Sequence, residues 1–209
     1  MELREATDDD AERVRELVRS AMTTSYALSP QQIESLADEA FGGDRLAEVV
    51  DDDDAVVIVA EDGDAPTDEA ADDPTPTVGV AEGELEGDRG TVRWLFVDPE
   101  HQGRDVGTRL FDRTAEELRE EGAERLYATA FEASTDGGRF FERMGLERAD
   151  DRRVEVAGET LVERVYAESS AASGSGSTAT GGSTDAQTSE TGAVGEATTD
   201  FPGTETRDG

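Results

Sequence analysis

The chain has 209 residues, 52 of them acidic and 19 basic, for a formal net charge of -33. Such a surface repels the phosphates of nucleic acids and anionic membranes, which proteins grip through clustered Lys and Arg. All 19 basic residues are Arg, Cys is absent and His101 is the one His, which excludes lysine-dependent phosphate loops, Schiff-base chemistry, thiolate nucleophiles, disulfides and two-histidine metal sites.

Residues 2–6 predict a short first strand, and Thr7 followed three residues later by Asp10 is a capping-box signature for the helix after it. Ala11, Val14, Leu17, Val18 and Ala21 recur at helical spacing with Glu and Arg on the other face. A second helical region is expected over 30–50, in one or two pieces. The β-branched run at 55–60 suits a strand covered on both faces. Residues 62–77 form an acidic, Pro-containing insertion that lengthens a strand connection. Strands follow at 78–85 and 91–97, turned back on each other through Gly87 to Gly90.

Val106, Leu110, Phe111, Ala115 and Leu118 predict an amphipathic helix ending near Gly122, and 125–131 is the next strand, which completes a strand, helix, strand crossover. Ser134 is placed to cap a short helix that ends at Gly145. The last strands, 152–156 and 160–167, flank a hairpin turn at Ala157 and Gly158. From 168 to 209 the chain is poor in large apolar residues and rich in Ser, Thr and Gly, so a disordered tail is expected beyond a folded domain of residues 1–167. The sum is an α/β fold with a mixed sheet of about seven strands and helices on both faces.

The strand, turn and helix start across PEHQGRDVGTRL, residues 99–110, would present main-chain N–H groups and the positive end of a helix to an anion. In it QGRDVG, 102–107, follows a strand ending in VDP and matches the pattern Q/R-x-x-G-x-G/A except at Asp105. RFFERMGL at 139–146 is similar to the pattern F-Y-E-R-x-G-F. On these segments and on the order of strands and helices, residues 1–167 resemble the GNAT superfamily of acyl-CoA-dependent N-acetyltransferases.

That resemblance implies a GNAT-like mixed, mostly antiparallel sheet. It implies acetyl-CoA as co-substrate with no metal, its pantetheine arm lying between strands 91–97 and 125–131 against main-chain groups of Phe96 and Val97. The pyrophosphate would rest on Gln102, Gly103, Arg104, Asp105, Val106, Gly107 and Thr108. A primary amine would attack the thioester directly in a ternary complex, with an N–H near Val97 facing the developing oxyanion. Loop 22–30 would form the acceptor mouth, with Tyr26 as a contact. The expected state is a monomer or homodimer.

Two departures support a rival reading, a non-catalytic GNAT-fold module that binds acyl-CoA or a partner. Asp105 places a carboxylate at the anion site. Asp tolerates positive φ, so the turn survives, and repulsion by a bound anion favours an outward carboxylate. Phe141 stands where the family commonly has a Tyr that protonates the leaving thiolate, and Phe has no proton to give; a general acid is worth roughly 100-fold to 10,000-fold. Tyr127 is the substitute acid in sequence, although a strand tyrosine more often packs in the sheet. Glu82 and Glu84, on the strand beside the cofactor strand, are the candidate bases for the amine.

The aspartate runs at 8–10 and 51–54 lack the ligand spacing of a calcium loop. The N-terminal MELREATDDD has no apolar leader and AVVIVA is too short to span a bilayer, so a cytoplasmic protein is expected. Acidic excess without lysine is read as adaptation to a very salty cytoplasm, where the screening length of about 3 Å at molar salt removes most self-repulsion.

Overall fold

Seven strands form one sheet in the order β1-β2-β3-β4-β5-β7-β6 in the structure, a computed structural model that describes residues 1–63 and 76–169. Most of the acidic insertion expected at 62–77, and the segment expected to be a disordered tail from 170 onward, lie outside the described residues. The strands are β1 (Glu2–Glu5), β2 (Ala55–Glu61), β3 (Thr77–Glu86), β4 (Arg89–Val97), β5 (Arg125–Phe131), β6 (Leu146–Val156) and β7 (Glu159–Glu168). The helices are α1 (Ala11–Ser25), α2 (Pro30–Phe41), α3 (Arg45–Val50), α4 (Val106–Glu120) and α5 (Gly137–Arg143). Every pair of neighbouring strands is antiparallel except β4 and β5, which are parallel as the crossover through α4 requires.

The helices divide between the two faces. α1, α2 and α3 bury Val14, Leu17, Val18, Leu36, Phe41 and Leu46 against Trp94, Phe96 and Phe131. On the other face Leu110, Phe111 and Leu118 of α4 join Val92, Leu126 and Tyr166, and α5 adds Phe141. Glycine lets α4 lie close to the sheet: a Cβ at Gly79 would stand 2.7 Å from Leu110, and one at Gly83 would stand 2.7 Å from Thr114.

Local signals act where the sequence puts them. The Thr7 N–H donates to Asp10 Oδ2 at 2.9 Å. Arg4 then clasps Asp10 through both Nη atoms, at 2.7 and 2.8 Å, and reaches Glu61 at 2.7 Å, which ties β1, the turn before α1 and β2 together. That bond from Arg4 holds the Asp10 carboxyl below the usual carboxylate range. At the start of α2, Ser29 Oγ accepts from the Gln32 N–H while Gln32 Oε1 accepts from the Ser29 N–H, a reciprocal cap. Gln32 Nε2 also donates to Glu159 Oε2 at 2.8 Å, joining α2 to the β6–β7 hairpin. That hairpin turns at Ala157 and Gly158, with φ of 52° and 79°.

Two strands differ from expectation. β6 begins at Leu146, not at 152, and nearly all of it is exposed at the sheet edge. β4 carries an extra residue: Glu82 pairs with Trp94 and Gly83 with Val92, so Arg93 is bulged out of the ladder with β3.

Candidate active site

The bulge at Arg93 coincides with the end of β4–β5 pairing. The parallel register runs from Arg89 and Arg125 to Val92 and Ala128. Beyond it the strands part, and the Thr129 hydroxyl donates to the Arg93 carbonyl at 3.3 Å across the point of separation. A bulge bends its strand and strengthens the local twist, which here carries residues 94–97 away from β5 and opens a fork in the middle of the sheet. A cavity of about 380 Å³ fills the fork.

One wall of the cavity is the phosphate-like turn. Gln102, Gly103, Asp105, Val106, Gly107 and Thr108 all line it, whereas Arg104 is exposed and does not. Asp105 is the N-cap of α4 in the left-handed conformation, φ 61° and ψ 10°. Its side chain is exposed and caps no N–H group. The first amide used within the helix is that of Arg109, which donates to the Asp105 carbonyl at 3.0 Å. Helix geometry therefore leaves the N–H groups of Val106, Gly107 and Thr108 without an intrahelical acceptor, at the positive end of a 15-residue helix. Gln102 Nε2 reaches the Val97 carbonyl at 3.3 Å and Ser25 Oγ at 3.4 Å, so one carbonyl of the strand end already has a side-chain donor. His101, also in the lining, has Nδ1 3.1 Å from Asp98 Oδ1 and Nε2 3.2 Å from Asp62 Oδ2.

The opposite wall is aromatic. Trp94 stacks on Phe96 at 5.8 Å and lies 6.2 Å from Phe131, and Tyr26 stands 6.5 Å from Phe96. Tyr26 follows the last residue of α1 and is held by an isolated bridge to Ser134. Burial pushes its hydroxyl up to about 12, with a hydrogen bond to Ser134 acting the other way. Ser134 Oγ accepts from the Gly137 N–H at 3.1 Å, as expected for a cap, although the residue that immediately precedes α5 is Asp136. Phe141 is buried in a cluster with Phe111, Phe140 and Tyr166 and lines the cavity with its hydrocarbon edge.

Three residues singled out in sequence stand outside the lining. Tyr127 sits at the closed end of the fork, paired with Thr91 and Ala167, its ring 3.8 Å under the Arg89 guanidinium. Glu82 is buried on β3, where Arg45 donates to Oε1 at 2.9 Å and Oε2 has no hydrogen-bond partner among the described residues. Burial pushes this carboxyl up, partly offset by the Arg45 charge. Glu84 accepts from Arg93 Nη1 at 2.9 Å. Both glutamates face the α1 side, but β3 is one strand away from the fork, and Arg93 and Trp94 stand between them and the cavity.

The side chains that sequence reasoning missed belong to the fork itself. Arg93 lines the cavity through the bulge. Burial opposes its charge, yet the bond it donates to Glu84 and the negative charges of Glu84, Glu82 and Glu163 hold its pKa above the ordinary value. Glu163 on β7 lies opposite Phe131 on one side and Arg152 on the other and lines the cavity half-buried, and its carboxylate makes no hydrogen bond or ion pair among the described residues. A signal for Glu163 was present, since it shares the inward alternation of β7 with Leu161 and buried Val165. Among the described residues, no group of three or more His, Cys, Asp or Glu is placed to hold a metal ion, and no helix is long and apolar enough to cross a membrane.

Comparison with known proteins is consistent with this geometry. The profile of the Acetyltransferase (GNAT) family matches residues 12–146. No curated protein sequence matches the chain. Among solved structures, a GCN5-related N-acetyltransferase from Rhodopseudomonas palustris is similar with 25% identity and a TM-score of 0.60, over 80% of this chain and 94% of that one. The PaiA N-acetyltransferase of Thermoplasma acidophilum, solved in complex with coenzyme A, is similar with 17% identity and a TM-score of 0.61, over 78% of this chain and 96% of that one.

Proposed function

Because the chain belongs to the GNAT acetyltransferase family and is therefore an acyltransferase, we propose that it moves an acetyl group from acetyl-CoA to a primary amine by direct attack in a ternary complex. The observation that carries this reading is the fork: two parallel strands that stop pairing at Val92 and Ala128, and open onto the free amides of α4. The donor set suits the cofactor, since a diphosphate needs N–H groups and space, both offered by Gly103, Val106, Gly107 and Thr108. The side of β4 turned toward the fork near Phe96 and Val97, beyond its last pair with β5, would hold the amide-bearing arm as an added strand holds its neighbour.

When bound, acetyl-CoA supplies an activated carbonyl and a leaving thiolate. This chain's residues do the rest. The N–H near Val97 would face the oxygen on which charge develops, and the walls of the fork would keep amine and thioester together. Phe141 donates no proton, but a thiol of pKa about 8.5 leaves tolerably near neutral pH. Asp105 lines the cavity but is exposed and caps no N–H group, which supports a reading in which the amides would remain open to the diphosphate.

The test is calorimetry with acetyl-CoA in molar KCl, followed by thiol release over a panel of primary amines. Binding with release is the expected result. Binding without release on any amine would favour the non-catalytic module, and no binding at all would remove the proposed role of the fork.

A further inference from the structure

On the acetyl-transfer reading, which this inference takes as its footing, the cavity divides into two halves. The turn at 102–108 and the edges of Phe140 and Phe141 lie on the α4–α5 side, where the diphosphate amides are. Trp94, Phe131, Arg93, Tyr26 and Glu163 lie on the α1 side. A fork that passes through the sheet admits one reactant from each face, so the acceptor meets the second group.

The charges of that second face are nearly closed among themselves. Arg45 serves Glu82 and Arg93 serves Glu84, which leaves Glu163 as the one carboxylate of the cluster without its own ion pair among the described residues. Asp105 and Asp136 also line the cavity, but both are exposed, at the starts of α4 and α5. Arg93 is bonded to Glu84 and also feels the Glu163 charge, and Arg152 on β6 lies opposite Glu163 in the ladder, yet the Glu163 carboxylate makes no hydrogen bond or salt bridge among the described residues and so keeps its oxygens for a ligand. We propose that Glu163 is the acceptor-side carboxylate of the transfer: it receives the acceptor as a primary ammonium ion whose carbon body lies on Trp94 and Phe131, and it takes the proton that frees the nitrogen lone pair.

The step balances without an external acid. One N–H bond of the ammonium breaks as an O–H bond forms on Glu163, and that proton passes to solvent. The nitrogen pair then forms the C–N bond as the carbonyl electrons move to oxygen. When they return, the C–S bond breaks, and the sulfur keeps its electrons and takes a second proton from the nitrogen. The products are an N-acetyl amine, a thiol and one released proton, so a phenylalanine at 141 is compatible with turnover. The chemical class that fits is a primary amine with an apolar body and no carboxylate next to the nitrogen, since an α-carboxylate would face Glu163 across the cavity.

Phenethylamine, butylamine and phenylalanine serve as probe acceptors, with acetyl-CoA in molar KCl and thiol release followed across pH for wild type and Glu163→Gln. The Gln variant is expected to lose about 100-fold or more of kcat/KM for phenethylamine near neutral pH and to regain rate tenfold per pH unit as free amine accumulates. Its melting curve and its calorimetric affinity for acetyl-CoA are expected to match wild type, because the Glu163 side chain makes no hydrogen bond or ion pair among the described residues and Gln keeps its shape. Phenylalanine is expected to react at least about tenfold more slowly than phenethylamine. A Gln variant with the wild-type rate and pH profile, or phenylalanine as the better acceptor, would overturn the assignment of Glu163. Wild type that releases thiol with other primary amines but with none of these three would overturn the inference and leave acetyl transfer standing, whereas release with no amine of the wider panel would overturn both.

Discussion

Asp105 concentrates the conflict between backbone and charge at one position. Its φ of 61° is a conformation that Asp and Gly enter more readily than other residues, and its negative charge suits a helix N-terminus but opposes a bound diphosphate. Because the carboxylate is exposed, water and salt screen it: two unit charges about 7 Å apart in water interact by only about 0.6 kcal/mol before ionic screening. Asp105→Gly is therefore expected to change acetyl-CoA affinity by less than about 1.5-fold in molar KCl and to tighten it by about twofold to threefold as salt is lowered, as read by calorimetry at two salt concentrations. Restoration from no binding to tight binding would mean that the carboxylate occupies the anion site. Glu82 poses a different problem, a buried carboxyl whose pKa is raised by burial. Between its unfolded value, about 4.3, and the higher folded one, the native state holds more protons than the unfolded chain, so this group's contribution to stability falls as pH rises through that window. Glu82→Gln mimics the protonated form. Denaturant unfolding at a series of pH values should show the variant gaining on wild type as pH rises, then a constant gap; a gap that narrows would contradict the raised value. Asp10 runs the other way, its stabilisation by Arg4 being present above about 3.9 and lost as pH falls through the lowered folded value.

At the scale of elements, local chemistry was legible and register was not. The helix at 106–120, the strand at 125–131, the Thr7–Asp10 pair and the Ala157–Gly158 turn follow from periodicity and from residues with strong backbone preferences, so sequence alone locates them. The start of β6 was hidden because an edge strand with both faces in water has no apolar alternation, and ERADDRR reads as loop. The bulge at Arg93 was hidden for another reason: it is a mismatch in length between two strands, which neither strand encodes by itself. Glu82 and Glu84, the bases expected from sequence, lie one strand from the fork and outside the cavity lining. Glu163 lies far along the chain from the cofactor strand, and only the β5–β7 register brings it to Phe131. The cofactor turn yields a test at this scale. A Cβ at Gly107 would stand 3.4 Å from Phe140 and 3.6 Å from Leu95 and Val97, ordinary contact distances, so the fold has room for it. Gly107→Ala should leave the melting temperature unchanged or raise it, since Ala is the better helix former by up to about 1 kcal/mol. The same methyl would project into the cavity beside the free amides, and a loss of about tenfold or more in acetyl-CoA affinity is expected by calorimetry. Equal affinity would mean that the diphosphate does not approach this turn.

The whole molecule is governed by its charge. Nineteen Arg against 52 acidic residues leave most carboxylates without a cation, and the ion pairs that form are largely at the surface, where each is worth about 0–1 kcal/mol. Such pairs cannot offset the mutual repulsion of a chain carrying a net charge of -33. At about 0.1 M salt the screening length is about 10 Å, longer than the spacing of neighbouring surface carboxylates, and at 1 M it is about 3 Å, shorter than most such spacings. Repulsion should therefore weaken the compact state in dilute buffer and fade in molar KCl, and the fork is the part with most to lose, because β4 and β5 have no pairing with each other beyond Val92 and Ala128. Circular dichroism melts in dilute and molar KCl should show a large rise in melting temperature with salt. A neutral osmolyte separates screening from exclusion at the surface: trimethylamine N-oxide strengthens burial without screening charge, so it should recover less of the loss than KCl at equal osmolality. A melt that does not change with salt, or one that the osmolyte restores in full, would show that charge repulsion is not what limits this fold.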